Sequence, residues 1–203
     1  MRSVLYLLAL LLMAVSLNVK ALTFEELQLQ MQQYPTLRCN YTQEKKIKEL
    51  ASPLISQGTM LLSRQYGLYW QQLIPFDMSL CATETDFIQT LAGQQPQVVS
   101  RNDNPMLFEI IHTLKALFSG DKEALETNFT TDFRSTGNNW ELILTPKQEP
   151  FSLIFSELRV SGTDFIDKLQ LFDKGGDLTT LTFTEHKTTP QDLTDNEKAA
   201  FNR

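Results

Sequence analysis

The two histidines carry the side chains of this chain best suited to acid–base chemistry near neutral pH. His112 lies on the polar side of a helical pattern beside Glu109, and His186 ends a strand-like run next to Glu185. Both positions are typical of solvated side chains. No Gly-x-Ser-x-Gly motif, glycine-rich phosphate loop or Cys/His metal spacing accompanies them. The sequence therefore predicts no enzyme, no cofactor and no metal site, with an acyl-ester hydrolase as the lesser alternative.

Cys39 and Cys81 are the two cysteines of the chain. In an exported protein, a disulfide between them would close a long loop and contribute about 4 kcal/mol in the chain-entropy model. If residues 38–50 and 57–65 form a hairpin and the chain returns through residues 67–82, Cys39 starts the first strand and Cys81 ends the third. In a flat meander these are opposite ends, and only strong curvature would bring the thiols together. The sequence leaves the disulfide open.

The N-terminal segment predicts export. Arg2 supplies a positive start, residues 4–17 form an uncharged apolar tract, and Val19-Lys20-Ala21 offers small residues at a cleavage position. The tract is shorter than the roughly 20 residues that a membrane-spanning helix needs. We expect residues 1–21 to be a cleavable signal peptide and residues 22–203 to form a single domain.

The charge of the mature chain argues against nucleic acid as a partner. Removing residues 1–21 from the 203 leaves 182, and the loss of Arg2 and Lys20 leaves 16 basic against 24 acidic side chains, a net charge of about −8. Nucleic acids and anionic membrane surfaces both select basic patches. The lysines of residues 44–49 are flanked by glutamates, which is typical of a solvated strand face.

Most of the mature chain predicts β-strands. Thr23 and Glu26 form a capping box for a first helix that Pro35 stops. Runs of alternating apolar and polar residues, bounded by turn signals, then predict strands at 37–50, 58–64, 67–73, 77–83, 87–91, 129–134, 140–145, 151–160, 165–172 and 178–186.

A helical insertion interrupts the strands near the middle of the chain. Asn104 and Pro105 read as the N-cap and first residue of an amphipathic helix over 105–118, which Gly120 ends. Short helices are expected at 121–127 and 197–201. The predicted fold class is mainly β with a helical lid (α+β), an incomplete antiparallel β-barrel of about nine to eleven strands covered by short helices.

A half-open barrel leaves space that must be covered or occupied, whereas a closed barrel of about eight strands is filled by its own side chains. The side chains expected to face this space are large and apolar: Leu61, Leu68, Trp70, Leu142, Leu144, Phe155, Leu171 and Phe183. The side chains expected to form the lid share one stripe of the central helix: Leu107, Ile110, Ile111, Leu114, Leu117 and Phe118.

A cavity lined in this way suits acyl chains better than polar metabolites. Two alternatives stay open at this stage. The central helix could plug the sheet as ordinary core, or the apolar concavity could serve a protein-binding module or holdase chaperone.

Several strand fragments, in a fixed order, resemble a known family. They are Tyr41-Thr42-Gln43, Gly58, Arg64 with Trp70, Pro75, Trp140-Glu141-Leu142-Ile143-Leu144-Thr145-Pro146, and Leu181-Thr182-Phe183. Their order and spacing, with the helical insertion, resemble the LolA family of periplasmic outer-membrane lipoprotein carriers over essentially the whole mature chain. The resemblance implies a periplasmic protein whose lidded hydrophobic cavity carries acyl chains from an inner-membrane exporter, of ABC type or another kind, to an outer-membrane receptor.

The resemblance also implies a role for Arg64. It matches the family's strand arginine, which bonds to the lid and helps to hold the empty cavity shut; the alternative is a solvated strand end. Residues 50–54 and the Pro75-Phe76 pair are closer to a divergent branch, so the cargo could be a lipoprotein, a glycolipid or a pigment-linked lipid. The carrier is expected to be a monomer.

Overall fold

The computed structural model describes residues 21–201. Within them the chain forms an antiparallel sheet with short helices, the mainly β class that the sequence predicts. The strands are β1 (Thr36–Lys46), β2 (Leu54–Ser63), β3 (Gly67–Ile74), β4 (Met78–Ala82), β5 (Asp86–Leu91), β6 (Gln97–Ser100), β7 (Phe129–Thr136), β8 (Asn139–Pro146), β9 (Phe155–Gly162), β10 (Ile166–Asp173) and β11 (Leu178–Lys187). The helices are α1 (Phe24–Gln32), α2 (Pro105–Ser119), α3 (Lys122–Asn128), α4 (Phe151–Ile154) and α5 (Asp195–Phe201).

The eleven strands form one open sheet in the order β6-β5-β4-β3-β2-β1-β11-β10-β9-β8-β7. Neighbours in sequence pair as hairpins, and β1 pairs with β11 to join the two halves. The edge strands β6 and β7 do not pair with each other, and α2 and α3 form the connection between them. The incomplete antiparallel barrel with helices is therefore confirmed.

The predicted signal peptide, residues 1–21, lies outside the described residues apart from Ala21, and it stays a prediction. Among residues 21–201, no helix is both long enough and apolar enough to cross a membrane.

The helix boundaries follow the local signals in the sequence. The Thr23 hydroxyl accepts a hydrogen bond from the Glu26 backbone N–H at 3.2 Å, and the Thr23 N–H donates to the Glu26 carboxylate at 3.0 Å, which completes the capping box. The Asn104 side chain caps α2 by accepting from Leu107 N–H at 3.1 Å. Gly120 ends α2 in the left-handed conformation, with φ of 65°.

Two elements differ from the prediction. Residues 151–160 read as one strand, but the first four form α4, which turns the Phe151 ring onto Phe129 with centroids 4.9 Å apart. An apolar run of this length is compatible with the period of a helix and with that of a strand, so tertiary packing determines which of the two forms. Strand β6, which the sequence did not predict, is a four-residue edge strand in a polar stretch and is held by pairing with β5.

Helices α1, α2 and α3 cover the concave face of the sheet. Their apolar side chains join those of the strands in the main core. Phe118 of α2 meets Phe183 of β11 edge to face at 5.1 Å, and Phe24 of α1 stacks on Phe133 of β7 at 5.3 Å. These two aromatic contacts hold α1 and α2 in position over the sheet.

The segment that follows β11, residues 188–201, crosses the convex face, and we call it the C-terminal strap. Its side chains Leu193 and Phe201 form a second buried cluster with the strand residues Leu61, Cys81 and Ile88. Both faces of β2 to β4 are therefore covered.

One arginine attaches the strap to the sheet. Arg38 of β1 donates through Nε and Nη2 to the two carboxylate oxygens of Glu197, at 2.6 and 2.9 Å, and through Nη1 to the Pro190 carbonyl at 2.8 Å. The Thr36 hydroxyl donates to the Gln191 carbonyl at 2.6 Å. A two-pronged ion pair of this kind has defined geometry and is partly shielded from water.

The structure settles the question of the disulfide against it. Cys39 lies on the concave face in the main core, whereas Cys81 lies on the convex face under the strap. Strands β1 and β4 are separated by β2 and β3, so three spacings of about 4.8 Å put the two residues roughly 14 Å apart. A disulfide cannot span that distance, and none joins them. Burial raises the pKa of the Cys39 thiol to about 12.

We expect Glu197→Gln to loosen the strap in a pH-dependent way. The Arg38 guanidinium holds the pKa of Glu197 at about 2, below its ordinary value of 4.5. A lowered pKa in the folded state stabilises the protein above the unfolded-state pKa, and this stabilisation disappears as the pH falls through the folded value. The variant should lose about 1–3 kcal/mol of unfolding free energy at pH 7, and the difference should close between pH 4.5 and pH 2.

Urea unfolding followed by tryptophan fluorescence at several pH values measures this difference. Glu44→Gln, which removes an exposed pair with Lys46, is the control and should change the free energy of unfolding by less than about 0.5 kcal/mol. A loss for Glu197→Gln that is equal at every pH would contradict the ion-pair explanation.

Candidate functional site

A cavity of about 370 Å³ lies between α2 and the concave face of the sheet. Packed protein interiors hold few voids larger than a water molecule, whereas ligand pockets span roughly 300–1,000 Å³. Helix α2 therefore covers an open space and does not simply plug the sheet as core.

The cavity lining is uncharged and largely apolar. It draws on strands from both halves of the sheet, on α2 and on α4: Tyr41, Gln43, Ser56, Leu68, Trp70, Gln72, Met78, Leu80, Ala82, Phe87, Leu107, Ile110, Ile111, Thr113, Leu114, Leu117, Phe118, Phe151, Phe155, Leu158, Leu169, Leu171, Leu181 and Phe183. An apolar ligand that enters the cavity would therefore displace water from few polar groups.

The predicted lid stripe lies over this cavity. All six of its side chains, from Leu107 to Phe118, contribute to the lining. Helical periodicity places them on one side of α2, and Phe108, Thr113 and Ala116 are buried as well. Because the stripe covers an open space, several of its members keep partly exposed surface towards the cavity.

Five of the eight side chains predicted to face the cavity do line it: Leu68, Trp70, Phe155, Leu171 and Phe183. Leu142 and Leu144 are buried in the same core as Leu27 of α1 and Leu125 of α3, where helices fill the space above the sheet. Leu61 lies on the convex face instead. Strand β2 buries Met60, Leu61 and Leu62 in succession, because the strap covers its outer side, so alternation alone could not assign the faces.

The sequence interpretation missed about half of the lining. Strand periodicity would have found some of it, since Leu169 and Leu181 lie two residues from Leu171 and Phe183 and share their faces. Phe151 was missed because residues 151–154, which form α4, were predicted to be part of a strand. The polar members Gln43, Ser56, Gln72 and Thr113 carried no signal, because a polar residue in a strand or helix pattern is read as facing water.

Arg64 is exposed at the end of β2, and its contact differs from the one that the resemblance implies. Its Nη2 donates to the Met31 carbonyl of α1 at 3.3 Å, rather than to the lid helix α2. Met31 in turn lies against the end of α2, where a Cβ on Gly120 would approach its Sδ to 3.3 Å. Arg64 thus reaches the lid only through α1, beside a void of about 20 Å³ that Phe118 also lines.

Neither histidine faces the cavity. The His186 ring stacks on Phe165 with centroids 5.0 Å apart, and its Nε2 lies 2.9 Å from the Ile166 carbonyl. His112 is exposed on the outer side of α2, in a separate polar groove shared with Arg101 and Lys115. Among the described residues, no three His, Cys, Asp or Glu side chains are grouped to bind a metal ion.

A protein-family model described as "Outer membrane lipoprotein carrier protein LolA" matches residues 32–197 of the chain. The chain belongs to the LolA family. The match covers all eleven strands, α2 and the cavity between them. Family members are carriers without enzyme activity, associated with the periplasm and the outer membrane. Comparison with curated proteins gives no significant match.

Solved structures of low sequence identity also match the chain. The LolA superfamily protein NE2245 from Nitrosomonas europaea is 11% identical, with a TM-score of 0.47 over 87% of this chain and 97% of that one. A DUF1329 family protein from Desulfovibrio piger is 10% identical, with a TM-score of 0.44 over 85% and 94%. The Pseudomonas aeruginosa MucA/MucB complex gives 12% identity and a TM-score of 0.48 over 84% of this chain and 57% of the matched chain.

We expect Leu114→Asp to empty the cavity of apolar ligands. The substitution places a carboxylate in an uncharged lining, and burying an unpaired charge costs several kcal/mol. Titration with an uncharged, apolar fluorescent dye should show an affinity loss of at least about tenfold. His112→Asp introduces the same side chain on the exposed outer side of α2 and should bind like the wild type. Equal losses in the two variants would mean that damage to the helix, and not the lining, is responsible.

Proposed function

We propose that this protein is a periplasmic carrier that holds the acyl chains of a lipoprotein or lipid in the cavity under α2 and moves them from the inner to the outer membrane. The apolar cavity beneath the six-residue lid stripe is the observation that carries the proposal. Membership of the LolA family supports the same class of function.

The affinity of such a carrier comes from removing methylene groups from water, at roughly 0.8 kcal/mol each. Binding of this kind needs no nucleotide. Loading from the inner membrane therefore depends on a donor, which we propose to be an exporter of ABC type or another kind. Release depends on an outer-membrane receptor whose own site binds the acyl chains at least as strongly, because cargo moves only towards equal or lower free energy.

A holdase for unfolded polypeptide would use the same concavity, and mass spectrometry separates the two functions. The mature protein should be purified gently from a bacterial periplasm, analysed under native conditions, and its bound species identified after dissociation. We expect an acylated lipoprotein or a lipid at a ratio near one to one. Peptide mixtures without lipid would favour the holdase, and a protein that stays empty after exposure to its own membrane extract would contradict the carrier.

Arg64→Leu tests whether the α1 contact contributes to opening. Because the Arg64 guanidinium makes one long, part-buried hydrogen bond to the Met31 carbonyl, we expect a loss of unfolding free energy of about 1 kcal/mol or less. Transfer of a fluorescent lipopeptide from the carrier to vesicles prepared from outer membrane should slow by about three- to tenfold, because release of the cargo would no longer be favoured by re-forming that bond. Arg134→Leu removes an exposed arginine paired with Asp132 and should transfer at the wild-type rate. Normal transfer by Arg64→Leu would exclude a latch.

A further inference from the structure

The cavity floor contains a patch of polar side chains that an apolar carrier does not require. Gln43, Ser56 and Gln72 come from the adjacent strands β1, β2 and β3, and we call them the polar band. Gln43 is the register partner of Ser56, and Gln72 is the partner of Gly58, two residues further along the same face of β2. The three side chains therefore form one continuous patch.

The polar band has hydrogen-bonding capacity that the protein does not use. Ser56 and Gln72 are only 7% and 8% exposed. Gln72 donates through Nε2 to the Phe76 carbonyl at 3.1 Å, but its Oε1 accepts nothing among the described residues. The Ser56 hydroxyl and the Gln43 amide have no hydrogen-bond partner in residues 21–201. Because these side chains border the open cavity, water can pair with them while it is empty, and a ligand that fills the space has to replace that water.

A further unpaired group lies next to the band. The Tyr41 hydroxyl is fully buried, has no partner of hydrogen-bond geometry, and belongs to the residue two positions before Gln43 on the same face. Its ring packs against Trp70 with centroids 4.0 Å apart. Burial raises the pKa of Tyr41, and the Trp70 indole offsets only part of that effect, so the phenol is a neutral donor.

The band sits at a defined height in the cavity. Along β3 the inward side chains run from buried Leu68 through Trp70 to Gln72, and beyond them Ile74 is exposed. Along β2 the same direction leads from Met60 to Ser56 and then to exposed Leu54. On β1 to β3 the deep part of the cavity is therefore apolar, and the band lies nearer to the exposed strand ends. On β9 to β11 the lining stays apolar past the same register level, at Leu171 and Leu158.

From this arrangement we infer that the polar band binds the ester or amide carbonyl groups at the head of the cargo's acyl chains. This inference rests on the proposed function and specifies its ligand. A bare hydrocarbon would remove the Ser56 and Gln43 groups from water without replacing their hydrogen bonds, which disfavours its binding. A phosphate or carboxylate would lack a cation, since no lining residue is charged. A neutral carbonyl accepts from the Ser56 hydroxyl and the Gln43 amide while the chain fills the apolar depth.

Two lipids with equal chains test the inference without any substitution. The delipidated protein is titrated with dipalmitoylglycerol and with dihexadecylglycerol diether, which lacks the carbonyls, by displacement of an apolar fluorescent dye. We expect about tenfold tighter binding of the ester. The double variant Gln43→Leu with Ser56→Ala should abolish this preference, so that ester and diether bind with affinities within about twofold of each other.

A matched pair of outer positions provides the control. Thr42 and Gln57 are register partners on the other side of the same two strands and are both exposed. Thr42→Ala with Gln57→Leu makes the same chemical changes there and should preserve the preference for ester. If the wild type binds both lipids equally, the carbonyl site is wrong and the carrier function stands. If it binds neither lipid, the proposed function fails and the inference fails with it.

Discussion

The concave face of the sheet is the constraint on which the rest of this structure depends. Eleven strands in an open order curve around a space that their own side chains do not fill, and apolar side chains on that face must still be removed from water. The chain meets this need by placing α2 and α3 between the two edge strands. The connection from β6 to β7, which contains these two helices, therefore covers the open barrel. The cavity is the space that remains where α2 does not pack fully against the sheet.

The C-terminal strap solves the equivalent problem on the convex face. Because Leu193 and Phe201 cover β2 to β4, both faces of these strands can be apolar, which explains three buried residues in succession at Met60, Leu61 and Leu62. The strap therefore packs on the outer side of the strands whose inner side borders the cavity. The Arg38 ion pair with Glu197 ties the strap to β1 at the centre of the sheet.

Covering the cavity from several directions also links its parts. Arg64 contacts α1, α1 contacts the end of α2, and α2 lies over the cavity. Any effect of Arg64 on the position of α2 would therefore have to pass through α1. The cavity combines a polar band on β1 to β3 with an apolar wall on β9 to β11, which suits an amphiphile better than a uniform hydrocarbon.

The sequence by itself determined the class of the fold and most of its elements, because these follow from local physics. Capping at Thr23 and Asn104, the stop at Gly120 and the period of two in the strands each depend on residues close together in the chain. The lid stripe was likewise predictable, since one helix carries all six side chains at a single period.

Only the tertiary structure decided which face of a strand borders the cavity. It also decided that Arg64 contacts α1 and that Cys39 and Cys81 lie on opposite faces of the sheet. Leu61 and Leu142 resemble Leu68 in the sequence, but one is covered by the strap and the other by α1 and α3. These outcomes depend on segments distant in the chain that pack on the same strand. The polar band was hidden for the same reason, because a polar side chain within a strand reads as exposed until the opposite wall is known.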